Sequence, residues 1–366
     1  MRITIDATSL LLRSAGIKSY TWHWLRSLRD IAGSYGIRAY PFLNEIGDLD
    51  HERSILSRTA TLPRLAALFA TNWGGSFVLD AMCAGSAVFH ASNQVRVFPR
   101  RVKATATIHD LTCWLMPDLH TEANVRADRE FADGVLKRAA GLIAVSENTR
   151  QDAIRVLGIA PERIRTIYSG VDERFFGAAP RQGGRPYVLC LGTIEPRKNI
   201  DALLDAWAGL NPEIREQFEL LIAGPAGWRA EHTMARLQSG VVKGVRYLGY
   251  VAEADIPALT AGATAFAYVS LYEGFGFPAA QAMAAGVPVI TSTTSCLPEI
   301  VGDGGICADP RSEADIRAAL TTVLLSPSAR ARIGKAGRAR ASAHFRWDTC
   351  ARESLDFFEK VVGNSL

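Results

Sequence analysis

A loop late in the chain has the residue types needed to bind a phosphate group. Gly274 and Gly276 follow Glu273, and Pro278 stands at the expected first turn of a helix. Such a loop presents backbone N–H groups and the positive end of the helix dipole to an anion. Glu273 would then accept hydrogen bonds from hydroxyl groups beside the phosphate, while Gln281 would reach a ribose. The alternative that the glycines only form a sharp turn stays open.

Two basic residues precede another predicted helix in the same half of the chain. Arg197 and Lys198 stand immediately before a helix that begins at Ile200, and Asn199 is placed to cap it. Cations at a helix N-terminus are unfavourable unless a negative group lies between them and the dipole. We therefore predict a bound phosphate here, with pairing of the two solvated cations to Glu195 as the alternative.

His109 and Gly16 are candidates for further contacts from the first half of the chain. His109 ends a predicted apolar strand, where its imidazole would donate a hydrogen bond to a sugar hydroxyl or transfer a proton. A structural role for this histidine fits its position equally well. Gly16 opens a helix after the first predicted strand, in a glycine turn of a kind that many folds use.

Short apolar runs alternate with longer amphipathic runs along the whole chain. This alternation is typical of βαβ units that build parallel sheets. The predicted strands span residues 3–6, 37–42, 87–90, 105–109, 142–145 and 164–167, and then 187–191, 218–223, 245–248, 264–269 and 287–291. The predicted helices span residues 17–31, 123–139, 146–157, 200–210, 254–261 and 278–285.

The length of the chain, 366 residues, indicates two domains. A stretch rich in Gly, Arg and Pro at residues 178–186 interrupts the alternation, so we place the boundary after residue 179. The predicted fold class is α/β, with two Rossmann-like, doubly wound parallel-sheet domains that face each other across a cleft. Such sheets bind ligands at the carboxyl ends of their strands, where the residues above are expected.

Composition excludes several classes of protein. With 48% hydrophobic and 21% charged residues the chain is not disordered, and nothing in it supports nucleic-acid binding. Asp6 interrupts the apolar core that a signal peptide needs, and no apolar run reaches the roughly 18 residues of a membrane span. The six cysteines lack Cys-x-x-Cys or zinc-ligand spacing, so we expect them to be buried in a reducing, cytoplasmic environment.

The net charge of +4 is concentrated in the first half of the chain. Its densest basic cluster consists of Arg96, Arg100, Arg101 and Lys103. A run of this kind is usually a solvated face, and the alternative is a surface for an anionic acceptor or a lipid.

Residues 54–70 form an amphipathic segment. The apolar residues near one helical face are Ile55, Leu62, Leu65 and Phe69. Pro63 interrupts the segment, so we expect a place in the core, with peripheral contact to the cytoplasmic side of a membrane as the alternative.

Taken together, these residues resemble the retaining glycosyltransferase family 4 of the two-lobed GT-B type. The likeness covers nearly the whole chain and is most specific at residues 273–281, which are similar to the Glu-x7-Glu signature of that family. Residues 192–199, with Pro-Arg-Lys-Asn, resemble its donor-phosphate segment. Further landmarks follow in the family's order at residues 107–111, 145–147, 169–172 and 285–289.

The resemblance implies a role for each candidate residue. Lys198, helped by Arg197, would bind the diphosphate of the donor, Glu273 would hold hydroxyls of the transferred sugar, and His109 would contact that sugar. Gly16 would let the first loop approach the phosphates. The backbone groups expected to support the donor belong to Val251, near the base, and to Gly274, Phe275, Gly276 and Phe277, near the diphosphate.

The resemblance also assigns the domains. Residues 1–179 would bind the acceptor, residues 180–346 would bind the nucleotide sugar, and the helix at 347–366 would pack back on the first domain.

We expect no cofactor and no metal ion, because the Asp-x-Asp match at residues 48–50 lies away from any predicted strand end of the second domain.

Three departures from the family pattern affect these expectations. Gln281 replaces the second glutamate of the signature, and its amide can still bond ribose hydroxyls. Thr193 stands where many members have arginine. Lys18 and Ser19 replace a glycine and an arginine of the first loop, so Lys18 would either add a phosphate contact or point to solvent.

The predicted function is retaining transfer of a hexose, with a preference for mannose, to a glycan or polyprenyl-linked acceptor in surface polysaccharide synthesis. The Pro-Arg-Lys-Asn form of the donor loop resembles members that use GDP-mannose, and a UDP-sugar is the other candidate donor. Two other functions stay open: a sugar-nucleotide epimerase or hydrolase of the same architecture, and a non-catalytic module that binds sugar nucleotides.

Overall fold

The computed structural model describes residues 1–14, 16–92, 94–181 and 183–364. Three parts of the sequence discussed above lie outside the described residues: Ala15 of the first glycine turn, Gln182 of the expected linker, and the last two residues of the expected C-terminal helix. Within the described ranges the chain forms two compact units, which contain residues 1–170 with the C-terminal helix, and residues 171–346.

The first unit contains a parallel sheet flanked by helices. Its strands are β1 (Arg2–Asp6), β2 (Gly36–Tyr40), β3 (Val88–Ala91), β4 (Lys103–Ile108), β5 (Gly141–Ala144) and β6 (Ile164–Thr166). Its helices are α1 (Gly16–Asp30), α2 (Arg58–Gly74), α3 (Ser76–Met82), α4 (Thr112–Leu115), α5 (Glu122–Gly134), α6 (Glu147–Leu157) and α16 (Trp347–Gly363).

The second unit repeats this plan. Its strands are β7 (Tyr187–Leu191), β8 (Glu219–Ala223), β9 (Val245–Gly249), β10 (Ala265–Tyr268), β11 (Val289–Ser292) and β12 (Gly305–Ala308). Its helices are α7 (Glu173–Phe176), α8 (Ile200–Ala208), α9 (Pro212–Gln217), α10 (Glu231–Ser239), α11 (Ile256–Ala261), α12 (Phe277–Ala284), α13 (Leu297–Val301), α14 (Glu313–Leu325) and α15 (Pro327–His344).

The strand order identifies one crevice in each unit. The first sheet runs β2-β1-β3-β4-β5-β6 and the second runs β12-β11-β10-β7-β8-β9, with all neighbours parallel, as the alternating pattern predicts. The order reverses between β1 and β3 in one sheet and between β7 and β10 in the other. At such a point the connecting segments leave toward opposite faces, and the carboxyl ends of the two strands border a crevice.

The local sequence explains why these elements form. All four residues of β5 and all four of β10 are buried, as in sheets covered on both faces. Helix α6 begins where the Ser146 hydroxyl accepts a hydrogen bond from the Thr149 N–H at 3.1 Å, and it ends at Gly158 in the left-handed conformation. The apolar face expected on the helix after residue 199 is confirmed, because Leu203 and Trp207 are fully buried.

The division between the units differs from the one we placed after residue 179. The first unit ends at Gly170, because the short helix α7 packs against α11 and α12 of the second unit. Composition reveals the Gly- and Pro-rich stretch, but it does not show which core the residues before that stretch join.

The C-terminal helix α16 completes the core of the first unit. It packs along α1, and Trp24 of α1 donates its indole N–H to the Ser354 hydroxyl at 3.0 Å. The ring of Phe358 lies 6.2 Å from that of Trp24 and 5.5 Å from that of His90. Residues distant in sequence are therefore needed to close this core.

Helix α2 corrects our expectation for residues 54–70. Leu62 and Phe69 are exposed rather than part of the core, whereas Ile55 is buried as expected. Pro63 lies inside α2 without ending it. None of the helices in the described ranges has the length and apolar character required to cross a lipid bilayer.

A buried histidine makes the stability of the first unit depend on pH. His90 of β3 is hydrogen-bonded through its two ring nitrogens to the hydroxyls of Thr105 and Thr107, both at 2.9 Å. Burial, with a smaller effect from His109, lowers the pKa of His90 from 6.5 to about 3. Between these values the unfolded chain binds more protons at this position, so stability decreases as the pH falls.

We expect a His90→Asn variant to lose less stability on acidification than the original chain. At about pH 4.5 the burial of neutral His90 costs the original chain about 2–3 kcal/mol relative to neutral pH, and the variant lacks this loss. Urea unfolding followed by circular dichroism at both pH values measures the difference, and His344→Asn controls for removal of an exposed imidazole. An equal loss in the original chain and the His90 variant would contradict the assignment.

Candidate active site

The carboxyl ends of β7 and β10 bring together the two charged segments predicted from the sequence. The chain leaves β7 through residues 192–199 and leaves β10 through residues 269–276, and these strands are neighbours at the point where the strand order reverses. Leu271 N–H donates to the Arg197 carbonyl at 2.9 Å, which ties one segment to the other. Arg197, Lys198 and Glu273 therefore lie in one crevice.

The Glu273 carboxylate is held between the two cations. Its Oε2 lies 2.7 Å from Nη1 of Arg197, and its Oε1 lies 2.6 Å from Nζ of Lys198. The Tyr268 hydroxyl donates to Oε1 at 2.8 Å and itself accepts from Lys198 at 2.5 Å. All three charged side chains are buried: 13% of the Arg197 side chain, 13% of Lys198 and 8% of Glu273 are exposed.

Electrostatics keep this carboxylate ionised. Burial alone would raise the pKa of Glu273, but the charges of Arg197 and Lys198 lower it to about 2. Glu195, 2.6 Å from Nη2 of Arg197, behaves differently: burial raises its pKa, and the charges of the two cations only partly offset this effect. Strongly shifted titration of several groups in one crevice is characteristic of a functional site.

The same contacts correct one step of our sequence argument. The two cations stand in a 3₁₀ turn, Pro196–Lys198, before α8, and Glu273 and Glu195 supply the negative charge that we assigned to a phosphate. The local charges therefore do not by themselves require an anion. Glu273 reaches the cations from the neighbouring loop after β10, whereas Glu195 belongs to the same segment as the cations.

Asn199 does not cap α8 through its side chain. Its backbone is left-handed, with φ of 56°, and its side-chain amide donates to the Val269 carbonyl at 3.0 Å and the Pro310 carbonyl at 2.7 Å. Asparagine adopts this conformation more readily than most residues. Asn199 therefore joins the segments that follow β7, β10 and β12 instead of satisfying the helix.

The glycine segment has the geometry expected of an anion loop. Gly276 precedes α12 with φ of 80°, a left-handed conformation that favours glycine, and a Cβ there would lie 2.8 Å from the end of the Leu297 side chain. As the N-cap residue, it offers no side-chain oxygen to the first amides of α12. Phe275 is buried, with its ring 5.1 Å from Phe277 and 5.4 Å from Phe345, which anchors the loop.

Two residues of the cluster were missed by sequence reasoning. Tyr268 is fully enclosed at the last position of β10, and Ser295, after β11, accepts a hydrogen bond from the Glu273 N–H at 3.1 Å. Ser295 holds φ of 56°. A tyrosine that ends an apolar strand was a usable signal, whereas nothing in the sequence near Ser295 distinguishes it from the adjoining polar residues.

Val251 and Gln281 lie farther from the cations. Val251 follows β9, two strands away from β7 at the same edge of the sheet, and it is partly buried. Gln281 lies one turn into α12 and is also partly buried. Gln281 belongs to the helix that follows the β10 loop, whereas Val251 lies farther along the same edge of the sheet, and the contacts of both residues with a donor stay predictions.

His109 follows β4 in the first unit. Its ring meets the Tyr20 ring edge-on at 4.8 Å, and burial lowers its pKa to about 4 against the opposing charge of Asp110. The imidazole is therefore neutral at physiological pH, where it can donate one hydrogen bond and accept another. Of the two roles that we considered, a hydrogen bond to a hydroxyl fits this state better than acid catalysis.

Lys18 has neither of the roles expected for it. Its side chain is fully buried, and Nζ donates to the Leu12 carbonyl at 2.7 Å and the Arg53 carbonyl at 2.5 Å. Burial lowers its pKa to about 8, although Asp50 and Glu52 act in the other direction. Lys18 thus ties two loops together, and a lysine side chain is long enough to do so where the family pattern has glycine.

Gly16 begins α1, and a Cβ at this position would meet no protein atom within 4 Å. The described protein packing therefore gives no reason for glycine here.

Asp6, which we treated only as an argument against a signal peptide, is a further structural residue: its carboxylate accepts from the Thr8 hydroxyl at 2.7 Å and the Ser92 hydroxyl at 2.5 Å. It joins the ends of β1 and β3.

The cysteines and acidic residues give little sign of a metal site. In the part of the chain that the structure describes, no group of three or more His, Cys, Asp or Glu side chains is placed to bind a metal ion. Cys307 is exposed, contrary to our expectation, because it lies on the edge strand β12. Independence of metal ions stays a prediction.

The fold and the site define a class of protein. Two doubly wound parallel sheets in one chain, with a crevice of buried cations and a glycine loop in the second, are the architecture of GT-B glycosyltransferases. A solved structure of the same fold, sucrose-phosphate synthase from Thermosynechococcus elongatus, superposes with a TM-score of 0.74 over 100% of both chains at 20% identity.

Sequence relatives narrow the class to a family. The model of "Glycosyl transferases group 1" matches residues 171–340, and that of "Glycosyltransferase Family 4" matches residues 57–175. O-antigen chain mannosyltransferase B of Escherichia coli is 33% identical over 74% of this chain and 74% of its own length. MMP alpha-(1->4)-mannosyltransferase of Mycolicibacterium hassiacum is 31% identical over 64% of this chain and 57% of its own length.

The chain therefore belongs to the group 1, or family 4, glycosyltransferases and is a hexosyltransferase. The family resemblance and the GT-B fold predicted from the sequence are confirmed.

The cluster predicts strong coupling between Lys198 and Glu273. Removing one partner leaves the other charge buried, which costs about 3–5 kcal/mol, whereas replacing both by Met and Gln should cost much less than the sum. A double-mutant cycle of Lys198→Met and Glu273→Gln, measured by urea unfolding, should give a coupling of at least about 2 kcal/mol.

A matched exposed pair controls for this prediction. Lys137 and Asp133 are 2.7 Å apart, with 50% and 69% of their side chains exposed. Screening by water limits such a pair, so the cycle of Lys137→Met and Asp133→Asn should give less than about 0.5 kcal/mol. Equal coupling in the two pairs would show that the Glu273 cluster is not buried as described.

Proposed function

We propose that this protein transfers mannose from GDP-mannose, with retention of anomeric configuration, to a glycan or polyprenyl-linked acceptor in surface polysaccharide synthesis. The single observation that carries the proposal is the buried cluster of Glu273, Arg197 and Lys198 at the β7/β10 crevice. The choice of mannose is supported by the relative from Escherichia coli, which is named for that sugar and for O-antigen chains.

The cluster has the charges that donor binding needs. A diphosphate would enter beside Arg197 and Lys198 and take over part of their hydrogen bonding, in a low-dielectric setting where such bonds are strong. Glu273 would then accept hydrogen bonds from hydroxyls of the hexose. Its pKa of about 2 leaves it ionised, and therefore able only to accept, across the physiological range.

The proposed reaction breaks the bond between the anomeric carbon and the diphosphate oxygen. That electron pair leaves with GDP, the acceptor oxygen bonds to the anomeric carbon from the same face, and the acceptor proton passes to the departing diphosphate oxygen. Arg197, Lys198 and the amides of the loop before α12 would stabilise the charge on the leaving diphosphate. These groups would do so without a metal ion, and neutral His109 would bond a hydroxyl of the sugar.

Lys198→Ala should lower the rate of transfer by a factor on the order of 10²–10³, because it removes a fixed donor aimed at the developing charge. The measurement is GDP release from GDP-mannose with octyl α-mannoside as a glycan acceptor, with circular dichroism to confirm folding. Lys137→Ala, an exposed lysine of the first unit, serves as the control. A Lys198→Ala variant that keeps full activity would exclude the proposed role.

The same assay separates the alternatives. With GDP-mannose and no acceptor, a transferase releases GDP slowly, whereas a hydrolase consumes the donor at its full rate. An epimerase would convert the sugar without releasing GDP. Donor binding without any transfer would identify a non-catalytic module, and faster transfer from UDP-glucose or ADP-glucose would correct the base and the sugar. Proton NMR of the product reports whether the anomeric configuration is retained.

Gly16→Ala distinguishes a functional glycine from a structural one. Since a Cβ there meets no protein atom and alanine favours helices, the variant should be as stable as the original chain or slightly more stable. If the first loop approaches the donor phosphates, the variant should raise the KM for GDP-mannose at least tenfold. Thermal unfolding and steady-state kinetics measure both effects, and an unchanged KM would remove Gly16 from the donor site.

A further inference from the structure

Helix α2 leaves most of its large apolar side chains exposed. Its fully buried residues are Thr61 and Thr71, the Thr71 hydroxyl accepts a hydrogen bond from Tyr40 at 2.6 Å, and Leu68 packs partly buried against the core. Its outward face carries Leu62, Phe69 and Trp73, which are 58%, 72% and 85% exposed. An ordinary surface helix buries its apolar stripe, so this arrangement needs a different explanation.

The exposed apolar residues form one continuous stripe. Leu62, Ala66, Phe69 and Trp73 follow one another at spacings of four, three and four positions, which places them along one side of a helix. Helix α3 extends the apolar surface with Phe77, which is 77% exposed. Large aromatic side chains exposed together mark an interaction surface more often than a solvated one. We call Leu62, Phe69, Trp73 and Phe77 the aromatic stripe.

A basic loop is fixed beside the aromatic stripe. The Asn72 side chain donates to the Gln94 carbonyl at 3.1 Å, and the Ser76 hydroxyl donates to the Phe98 carbonyl at 2.6 Å. The Asp80 carboxylate of α3 accepts the backbone N–H groups of Arg100 and Arg101 at 2.9 and 3.1 Å. These contacts hold the loop that carries the two exposed arginines against α2 and α3.

The charge of this region is strongly positive. Residues 54–103 contain six Lys and Arg and one acid, Asp80, a net charge of +5 that exceeds the +4 of the whole chain. Two charged residues from neighbouring elements contact this region. Glu130 of α5 lies 2.9 Å from Arg96, and the Arg138 guanidinium, in the turn after α5, lies 4.4 Å from the centre of the Phe98 ring. One is negative and the other positive, so together they leave the net charge unchanged. Aromatic and basic side chains on one surface match an anionic lipid bilayer.

We propose that the aromatic stripe and the loop with Arg100 and Arg101 dock this protein onto an anionic membrane surface. Phe69, Trp73 and Phe77 enter the boundary between headgroups and acyl chains, and the arginines contact lipid phosphates. A second copy of the chain is a poorer partner for the same surface. In a symmetric dimer the stripe would meet itself, and the basic loops of the two copies would repel each other.

Flotation with lipid vesicles tests the proposal on the full chain. We expect binding to phosphatidylcholine vesicles with about one third phosphatidylglycerol, much weaker binding to phosphatidylcholine alone, and release when salt rises from about 0.1 to about 0.5 M. Phe69→Ser with Trp73→Ser should weaken binding at least tenfold, since each ring loses its apolar burial. Arg100→Gln with Arg101→Gln should weaken it on the order of tenfold.

Matched variants in the second unit separate these effects from general ones. Leu62 and Leu325 are both 58% exposed, so Leu62→Ser should weaken vesicle binding severalfold and Leu325→Ser should not. Arg332→Gln with Lys335→Gln removes the same charge as the Arg100 and Arg101 pair from exposed positions of α15, and it should leave binding unchanged. Thermal unfolding should be the same for all variants, because their side chains are exposed.

Fluorescence supplies a second readout at the site itself. Insertion of Trp73 should shift tryptophan emission to shorter wavelength on addition of the anionic vesicles, and Trp73→Phe should abolish the shift while largely preserving binding. The proposal is overturned by absence of vesicle binding, by equal affinity for neutral and anionic vesicles, or by full binding of the Phe69 and Trp73 double variant. Light scattering that shows a dimer, lost in that variant, would identify a second copy as the partner instead.

Discussion

The second unit is organised around one buried carboxylate held by two cations. Glu273 can meet Arg197 and Lys198 only because β10 lies beside β7, and this neighbourhood arises from the reversal of strand order in the sheet. Ser295 fixes the backbone of Glu273, and Tyr268 fixes its carboxylate from below. A buried ion cluster of this type contributes little net stability, since desolvation offsets attraction. Removing one member alone leaves a buried charge uncompensated, so the members of the cluster depend on one another.

The first unit presents a contrasting chemistry. The end of its sheet includes aromatic and neutral imidazole groups: His109 packs against Tyr20, and His90 of β3 is hydrogen-bonded to two threonines. Burial keeps both histidines uncharged, and the two ring nitrogens of His90 are already bonded to the threonines. The second unit instead holds a buried group of paired charges.

Sequence reasoning selected the candidate residues of the second unit from their positions at strand ends. Glu273 and Lys198 follow apolar strands, and the order of parallel strands brings such positions to one edge, so the fold class was enough to predict that they are close. The contacts of Lys18 and Asn199 were not predictable in the same way. Each side chain bonds backbone carbonyls from loops distant in sequence, and the residue type alone does not choose between such a contact, solvent and a ligand.

The orientation of α2 was mispredicted for a related reason. Periodicity shows that a helix has an apolar side, but it does not show which side meets the core. In α2 two threonines and Leu68 supply inward contacts, and a proline that suggested a break is accommodated within the helix. Which side of such a helix faces the core depends on the surface that the other elements of the unit leave uncovered.

The return of α16 to the first unit affects the order of assembly during synthesis on the ribosome. Domains usually fold as they emerge, starting from the amino end. Here the contacts of Trp24 with Ser354 and Phe358 cannot form until the C-terminal helix has been translated, which happens after all of residues 171–346. The second unit is thus the first that can finish folding, although it is translated second.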